Sequence, residues 1–154
     1  MELTSIIMPD MVVANMKANS KKQVLQEFAE LAAQKIDVSE HDILDTLIQR
    51  ERLGSTGLGS GVAIPHGKLA GIDGIVGAFA RVSKPISFDA LDDQPVDLFF
   101  MLLAPEGAGA DHLKALSRIA RIFRDEHKLA ELRKAEGVDQ IHSLLVAEAQ
   151  ANAA

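Results

Sequence analysis

The chain has 154 residues, 47% of them apolar and 25% charged, a balance typical of a single globular domain, which we expect to span residues 1–154. Its net charge of −6 at pH 7 and the lack of a Lys/Arg cluster argue against a nucleic-acid partner. There is no cysteine, which excludes disulfides, thiolate catalysis and cysteine-ligated zinc. No basic and apolar leader follows Met1, and no apolar run reaches the length of a membrane span, so we expect a cytoplasmic protein without membrane insertion.

The first third of the chain predicts a short strand followed by two amphipathic helices. Residues 11–14 form the apolar run that indicates the strand. Asn19 and Ser20 are N-cap candidates for the first helix, and the spacing of apolar residues extends that helix to about Gln34.

The second helix begins at Ser39, which with Asp42 three residues later resembles a capping box. Its apolar stripe includes Ile43 and Leu47, and Arg50 continues this stripe seven residues after Ile43. A charge on the buried side of a helix needs an anionic partner or ligand. Arg50 is therefore a candidate functional residue.

The remaining chain alternates between strand-like and helix-like segments. His112 falls in the first turn of a predicted helix, where backbone N–H groups lack partners and the helix dipole is positive. Helices on both sides of the strand runs predict an α/β fold. The predicted strands are residues 62–64, 75–82, 86–88 and 96–103, with a break at 83–85, and the predicted helices start near 110 and cover 126–134 and 138–149.

The glycines at 57, 59 and 61 suggest a nucleotide-binding loop, but the order of elements is wrong for one. Such loops lead from a strand into a helix, whereas here a helix precedes the glycines and a strand follows them. The sequence also lacks a nucleophile elbow and any convincing His/Asp cluster for a metal site. We therefore expect neither a metal nor a cofactor.

His66 is the remaining candidate for chemistry. Its flanking residues Pro65 and Gly67 hold it on a defined turn, and a neutral imidazole is a competent nucleophile at physiological pH. If it attacks phosphorus, positioning and charge stabilisation dominate, which suits Arg50 and His112 as companions. Ser55 and Thr56 can add hydroxyl donors to a phosphate.

Each of these residues also has a structural interpretation. A histidine in a Pro-His-Gly turn is more often a surface residue, and a polar residue such as His112 is common in a first helical turn. Arg50 can be the snorkelling end of a helix, and the hydroxyl-rich loop at 54–57 can be turn chemistry alone.

Residues 51–67 resemble the phosphorylation-site signature of the bacterial phosphotransferase-system enzyme IIA domains of the mannitol/fructose type. The match comprises an acidic residue, a gap of six, an aliphatic-Gly pair, and then aliphatic-Ala-aliphatic-Pro-His-Gly. The resemblance extends over nearly the whole chain, including residues 93–98 and 112–116. Residues 54–57 and 67–69 are most similar to the nitrogen-regulatory enzyme IIA of this family.

The resemblance implies that His66 receives a phosphoryl group from a phosphohistidine on an HPr-like carrier. It implies that Arg50 is the active-site arginine and His112 the second histidine, and that Thr56 supplies a hydroxyl near the phosphohistidine. The implied fold is a three-layer α/β/α arrangement with a mixed sheet of about five strands. The implied role is a phosphotransferase component with a mainly regulatory function, with potassium transport and sensor kinases as family-level candidates for its targets.

Three functions stay open at this point. The first is a regulatory phosphocarrier, and the second is a sugar-specific (fructose or mannitol) enzyme IIA that passes phosphate to a permease IIB domain. The third is a binding module whose histidine never carries phosphate. The intact trio of Arg50, His66 and His112 argues against the third, because a degenerated site would be expected to lose a member. Acid-labile, alkali-stable phosphorylation would separate the first two from the third.

Overall fold

A computed structural model describes the backbone of residues 3–153 and the side chains of residues 4–147. No helix in this described part is long and apolar enough to cross a membrane. The elements in chain order are α1 (Leu3–Ile6), a 3-10 turn (Pro9–Met11), β1 (Val12–Val13), α2 (Lys21–Ala33), α3 (Glu40–Arg52), β2 (Gly57–Gly59), β3 (Val62–Ala63), β4 (His66–Leu69), β5 (Val76–Ile86), β6 (Val96–Pro105), α4 (Ala110–Arg124), α5 (Glu126–Lys134) and α6 (Val138–Ala153).

The strands form one mixed sheet in which β6 is central. Its order is β1-β5-β6-β3-β2, and β4 pairs with β6 further along the same edge as β3. The β6 strand runs antiparallel to β5 and parallel to β3 and β4. Nearly all side chains of β6 are buried, which confirms the prediction of a strand covered on both faces.

Helices cover both faces of this sheet. Phe99 of β6 packs edge-on against Phe28 of α2, with ring centroids 6.5 Å apart. Phe100 points to the opposite face because successive strand side chains alternate, and a Cβ added to Gly77 on that side would meet both Phe100 and Ile6 of α1. The three-layer α/β/α prediction is therefore confirmed.

The sheet has six strands among the described residues instead of the expected five, because two strands were not predicted and the two predicted at 75–82 and 86–88 form one strand, β5. Part of the glycine loop forms β2, and His66 begins β4. The predicted break at 83–85 is wrong, since β5 continues to Ile86 through a shift in register between Arg81 and Ile86. Pro85 lies in this irregular stretch, where its missing N–H interrupts no ladder hydrogen bond.

The N-caps predicted at Ser20 for α2 and at Ser39 for α3 are confirmed. The Ser20 hydroxyl accepts a hydrogen bond from the Gln23 amide, and the Ser39 hydroxyl accepts one from the Asp42 amide. Both caps fix where α2 and α3 begin. They therefore also fix which residues reach the ends of those helices.

A close approach between α3 and β4 brings the two halves of the central motif together. A Cβ built on Gly67 would lie only 2.6 Å from Cγ2 of Thr46, so the helix can sit this close only over a glycine. Arg50 follows Thr46 by one helical turn, and His66 precedes Gly67. The packing of one glycine thus places Arg50 beside His66.

Candidate functional site

His66 is the first residue of β4, and hydrogen bonds to both ring nitrogens fix its tautomer. Its Nδ1 lies 2.7 Å from the carbonyl oxygen of Ile64, which can only accept, so Nδ1 carries the proton. Its Nε2 accepts a hydrogen bond from Nε of Arg50 over 3.2 Å, which requires a lone pair on Nε2. The two contacts agree on a neutral ring with Nε2 as the unprotonated, nucleophilic atom.

Arg50 lies in the last turn of α3 and has two neutral partners. Its Nε donates to His66, and its Nη1 donates to the carbonyl of Gly54 over 2.8 Å. Among the residues that the structure describes, no carboxylate lies within ion-pair distance of this guanidinium. The sequence predicted either an anionic residue or a ligand as the partner of Arg50. Because no such residue is present in the described part of the chain, the positive charge of Arg50 is available to an anionic ligand.

His112 lies in the first turn of α4, and its ring faces that of His66 edge-on. The ring centroids are 5.6 Å apart with an interplanar angle of 67°. The residue is only 6% exposed, and its Nε2 is buried without a hydrogen-bond partner in the described part of the chain. A buried polar atom of this kind is costly unless a further group satisfies it.

Both imidazoles are held neutral by their surroundings. Burial lowers the pKa of His66 below its ordinary 6.5, and the Arg50 guanidinium lowers it further, while the Ile64 carbonyl and the Glu51 carboxylate act in the opposite direction. Burial also lowers the pKa of His112, with smaller contributions from His66 and Lys68. At neutral pH the site therefore presents an uncharged nucleophile beside a fixed cation.

Ser55 and Thr56 lie in the loop of residues 53–56 that joins α3 to β2, and both hydroxyls already have acceptors. Ser55 Oγ donates to the carbonyl of Phe88 over 2.8 Å and accepts from the Gly57 amide over 3.0 Å. Thr56 is buried, and its hydroxyl donates to the carboxylate of Glu51. Phosphate binding by these two hydroxyls stays a prediction, because each would have to exchange its present partner.

The site includes two residues to which the sequence alone gave no role, although one of them, Glu51, is the acidic residue that opens the signature at 51–67. Glu51 is buried at the end of α3, where its carboxylate accepts from Thr56 and pairs with Nζ of Lys21 over 2.8 Å. An acidic residue in the last turn of a helix opposes the helix dipole, and this signal could have drawn attention to Glu51. Lys21 gives no such signal, because thirty residues separate it from Glu51.

The structure thus brings Arg50, His66 and His112 together, with Ser55 and Thr56 in the adjoining loop. Residues 5–148 match the family model described as the phosphoenolpyruvate-dependent sugar phosphotransferase system, EIIA 2. The chain belongs to this enzyme IIA family. The family implies a phosphotransfer component that works with phosphocarrier proteins, and membership confirms the resemblance found in the sequence.

Within the enzyme IIA family, the chain is similar to nitrogen regulatory proteins. It is 51% identical over 145 residues to the nitrogen regulatory protein of Bradyrhizobium diazoefficiens, a match that covers 94% of this chain and 95% of the relative. It superimposes on the nitrogen regulatory protein IIA-Ntr from Neisseria meningitidis with a TM-score of 0.90 and 38% identity, covering 93% of this chain and 98% of that one.

The enzyme IIA for mannitol from Escherichia coli shares the fold. It matches with a TM-score of 0.75 at 20% identity, and the match covers 90% of this chain and 98% of that one. The mixed sheet with helices on both faces is therefore common to a nitrogen regulatory protein and a mannitol enzyme IIA.

Proposed function

We propose that the chain is a regulatory phosphocarrier of the bacterial nitrogen-related phosphotransferase system. In this proposal, Nε2 of His66 accepts a phosphoryl group from a phosphohistidine on an HPr-like carrier, and the phosphorylation state is the signal. The observation that carries it is the neutral, fixed ring of His66 with its lone pair beside the unpaired charge of Arg50. The similarity to nitrogen regulatory proteins supports the regulatory role.

The transfer itself is a substitution at phosphorus. The lone pair of His66 Nε2 forms the new N–P bond while the P–N bond to the carrier's histidine breaks and returns its electron pair to the carrier. The proton on Nδ1 of His66 stays in place, bonded to Ile64. Arg50 releases Nε2 and turns its N–H groups to the phosphoryl oxygens, where a guanidinium stabilises charge in the transition state. His112 adds a second polar group through its unpaired Nε2.

Exposed apolar side chains next to the site support a protein as the phosphoryl donor. Leu53, three residues after Arg50, is 85% exposed, and Leu113, the neighbour of His112, is 66% exposed. Exposed apolar surface rimmed by polar groups marks a protein-interaction site, and Leu53 and Leu113 lie within three residues of Arg50 and His112 in the chain. We infer that the carrier docks on Leu53 and Leu113 and presents its phosphohistidine between them.

Phosphorylation gives regulatory targets a simple difference to detect. The phosphoryl oxygens carry about −1.5 to −2 charges at neutral pH, and the ring that keeps its Nδ1 proton carries about +1, so the net change is roughly −1 at a surface where Arg50 provides a positive charge. A protein that binds only one of the two forms responds to the phosphotransferase system. Components of potassium transport and sensor kinases are the classes of target we propose to test first.

A sugar-specific role is the second candidate. The chain is 36% identical over 127 residues to the fructose-specific EIIA component of a phosphotransferase system in Haloferax volcanii, covering 82% of both chains. A fructose or mannitol enzyme IIA passes its phosphate to a IIB domain. Transfer of label from the phosphorylated chain to a purified IIB domain at a rate matching uptake would favour this role over the regulatory one.

The test of the proposed function is labelling from phosphoenolpyruvate in the presence of enzyme I and an HPr-like carrier. We expect one acid-labile, alkali-stable phosphoryl group per chain, located on His66 by mass spectrometry. His66→Ala should abolish labelling, whereas His127→Ala, which removes an exposed histidine in α5, should not. Labelling of His66→Ala at the wild-type level would reject the proposal.

A further inference from the structure

We propose that Glu51 is a positioning residue, which through Thr56 sets the placement of Arg50 relative to His66, and that Lys21 is its counterion. This inference rests on the proposed function of His66. Glu51 touches neither His66 nor any phosphoryl group in this proposal. Its effect passes through hydrogen bonds of the loop at 53–56.

The carboxylate of Glu51 holds Thr56 at two points. Its Oε1 accepts from the Thr56 hydroxyl, and its two oxygens lie 3.2 and 3.3 Å from the Thr56 amide nitrogen. The Glu51 side chain is only 5% exposed, so these contacts form away from competing water. Hydrogen bonds to a buried charge are stronger than those between neutral groups, which makes Thr56 the fixed point of the loop.

Two hydrogen bonds connect Thr56 to His66 through Ile64. The Thr56 carbonyl accepts a hydrogen bond from the amide of Ile64 over 3.0 Å. The carbonyl of the same Ile64 accepts from Nδ1 of His66 over 2.7 Å. A shift of Thr56 therefore moves the residue that orients the imidazole ring.

The same loop is connected to Arg50. The carbonyl of Gly54, two residues before Thr56, accepts from Nη1 of Arg50 over 2.8 Å. Arg50 thus has one anchor in the loop and one on the ring of His66. Because both anchors depend on the position of the loop, Glu51 controls both sides of the contact between Arg50 and His66.

Lys21 is the cation that makes a buried carboxylate tolerable at the end of α3. Its Nζ lies 2.8 Å from Glu51 and 3.4 Å from the carbonyl of Phe88, and it stands 4.8 Å from the centre of the Phe88 ring. Ser55 donates to that same Phe88 carbonyl. The carbonyl of Phe88 therefore contacts both Lys21, the counterion of Glu51, and the loop at 53–56.

The experiment compares four variants in the full chain. Glu51→Gln removes the charge, and its amide group would place hydrogen atoms against Lys21. Thr56→Val removes the hydroxyl but keeps the Glu51 charge, so it separates positioning from a direct electrostatic effect on His66. Thr56→Ser keeps the hydroxyl. Asp97→Asn is the matched control. It removes a carboxylate that lies on another part of the sheet, in β6, and pairs with Arg133 of α5.

Two measurements follow each variant. Quench-flow kinetics gives kcat and KM for phosphotransfer from the carrier, and NMR of the free protein gives the chemical shifts of the Arg50 Nε–H and His66 Nδ1–H protons. We expect Glu51→Gln and Thr56→Val to lower kcat by about tenfold to a hundredfold with little change in KM, as expected for a misplacement of roughly 1 Å. In these two variants both proton signals should move. Thr56→Ser should retain most of the wild-type rate, and Asp97→Asn should change neither the kinetics nor the proton signals.

The inference is overturned if Glu51→Gln and Thr56→Val react at the wild-type rate with both proton signals unmoved. It is also overturned if Asp97→Asn slows transfer as much as they do. Failure of the proposed function looks different, because the wild-type chain then carries no label on His66. The proton signals need no phosphotransfer, so they decide the positioning role in that case as well.

Discussion

The Nε atom of Arg50 lies 3.2 Å from Nε2 of His66, the nitrogen that carries the ring's lone pair. The contact has two opposite effects on that lone pair. The positive charge lowers the pKa of His66 and keeps the ring neutral, whereas the hydrogen bond occupies the lone pair. A phosphoryl group offers the guanidinium anionic oxygens in place of a neutral nitrogen, so we expect the carrier's phosphate to release His66 as it arrives.

Removal of this arginine tests both effects. Arg50→Ala should slow phosphotransfer by about 10²- to 10³-fold, because a fixed donor to the transition state is lost. The same variant should raise the pKa of His66, since a nearby positive charge disappears. Quench-flow kinetics and an NMR titration of the ring measure the two quantities. Arg52→Ala, which removes an exposed arginine from the same helix end, is the control, and an Arg50→Ala variant as fast as that control would contradict the prediction.

Neighbouring residues on α4 should affect different kinetic constants. His112→Ala removes the unpaired Nε2 that we assign to the phosphoryl oxygens, so it should lower kcat by about 10²-fold while His66 still becomes labelled. Leu113→Ala removes an exposed apolar side chain and should raise KM for the carrier with kcat nearly unchanged. Steady-state kinetics over a range of carrier concentrations separates the two. Equal kcat values for wild type and His112→Ala would exclude His112 from the site.

Acid should destabilise the fold through the two site histidines. In the folded chain burial lowers the pKa of both His66 and His112, and unfolding returns each to about 6.5. As the pH falls through that value the unfolded chain binds more protons than the folded one, so the free energy of unfolding decreases from neutral pH into the range below about 6.5. Urea titrations across this range should show a smaller decrease in a His66→Gln/His112→Gln variant. A decrease of equal size in that variant would assign the effect to other groups.

The tight contact at Gly67 can be tested by filling it. Gly67→Ala places a Cβ 2.6 Å from Cγ2 of Thr46 and forces α3 away from β4. We expect a loss of about 1–3 kcal/mol in the free energy of unfolding together with slower phosphotransfer, because Arg50 moves away from His66. Denaturant unfolding and quench-flow kinetics measure both effects.

A second substitution provides the rescue for Gly67→Ala. Thr46→Ala removes the Cγ2 atom, so the double variant should recover both stability and rate. Gly74→Ala is the matched control, since no heavy atom lies within 4 Å of its Cβ position. If the double variant stays as slow as Gly67→Ala alone, the spacing between α3 and β4 does not set the position of Arg50.

Long elements with strong local signals were predictable from the sequence. The apolar run of Val96–Pro105 and the serine caps at Ser20 and Ser39 depend on side chains close together in the chain. The strands β2 and β4 were not predictable, because Gly57–Gly59 and His66–Leu69 are short and contain glycine or lysine. Their strand geometry comes from pairing with β3 and β6, which no local pattern reports.

The candidate site divides in the same way. Arg50, His66 and His112 were identified because helical spacing, the Pro-His-Gly turn and a first-turn position are local features. The counterion of Glu51 was not, since Lys21 reaches it only through the packing of α2 against α3. The sequence shows a hydroxyl and a carboxylate five residues apart, but only the fold shows that they bond to each other.

If His66 carries phosphate as we propose, its hydrogen bond to the carbonyl of Ile64 has a chemical consequence for the phosphorylated chain. Once Nε2 is bonded to phosphorus, the proton retained on Nδ1 makes the ring a phosphoimidazolium cation. Such a ring can depart as a neutral imidazole, whereas a ring without that proton would have to depart as an anion. By keeping the proton on Nδ1, one main-chain oxygen preserves the group-transfer potential of the phosphoryl group and leaves it ready for the next acceptor.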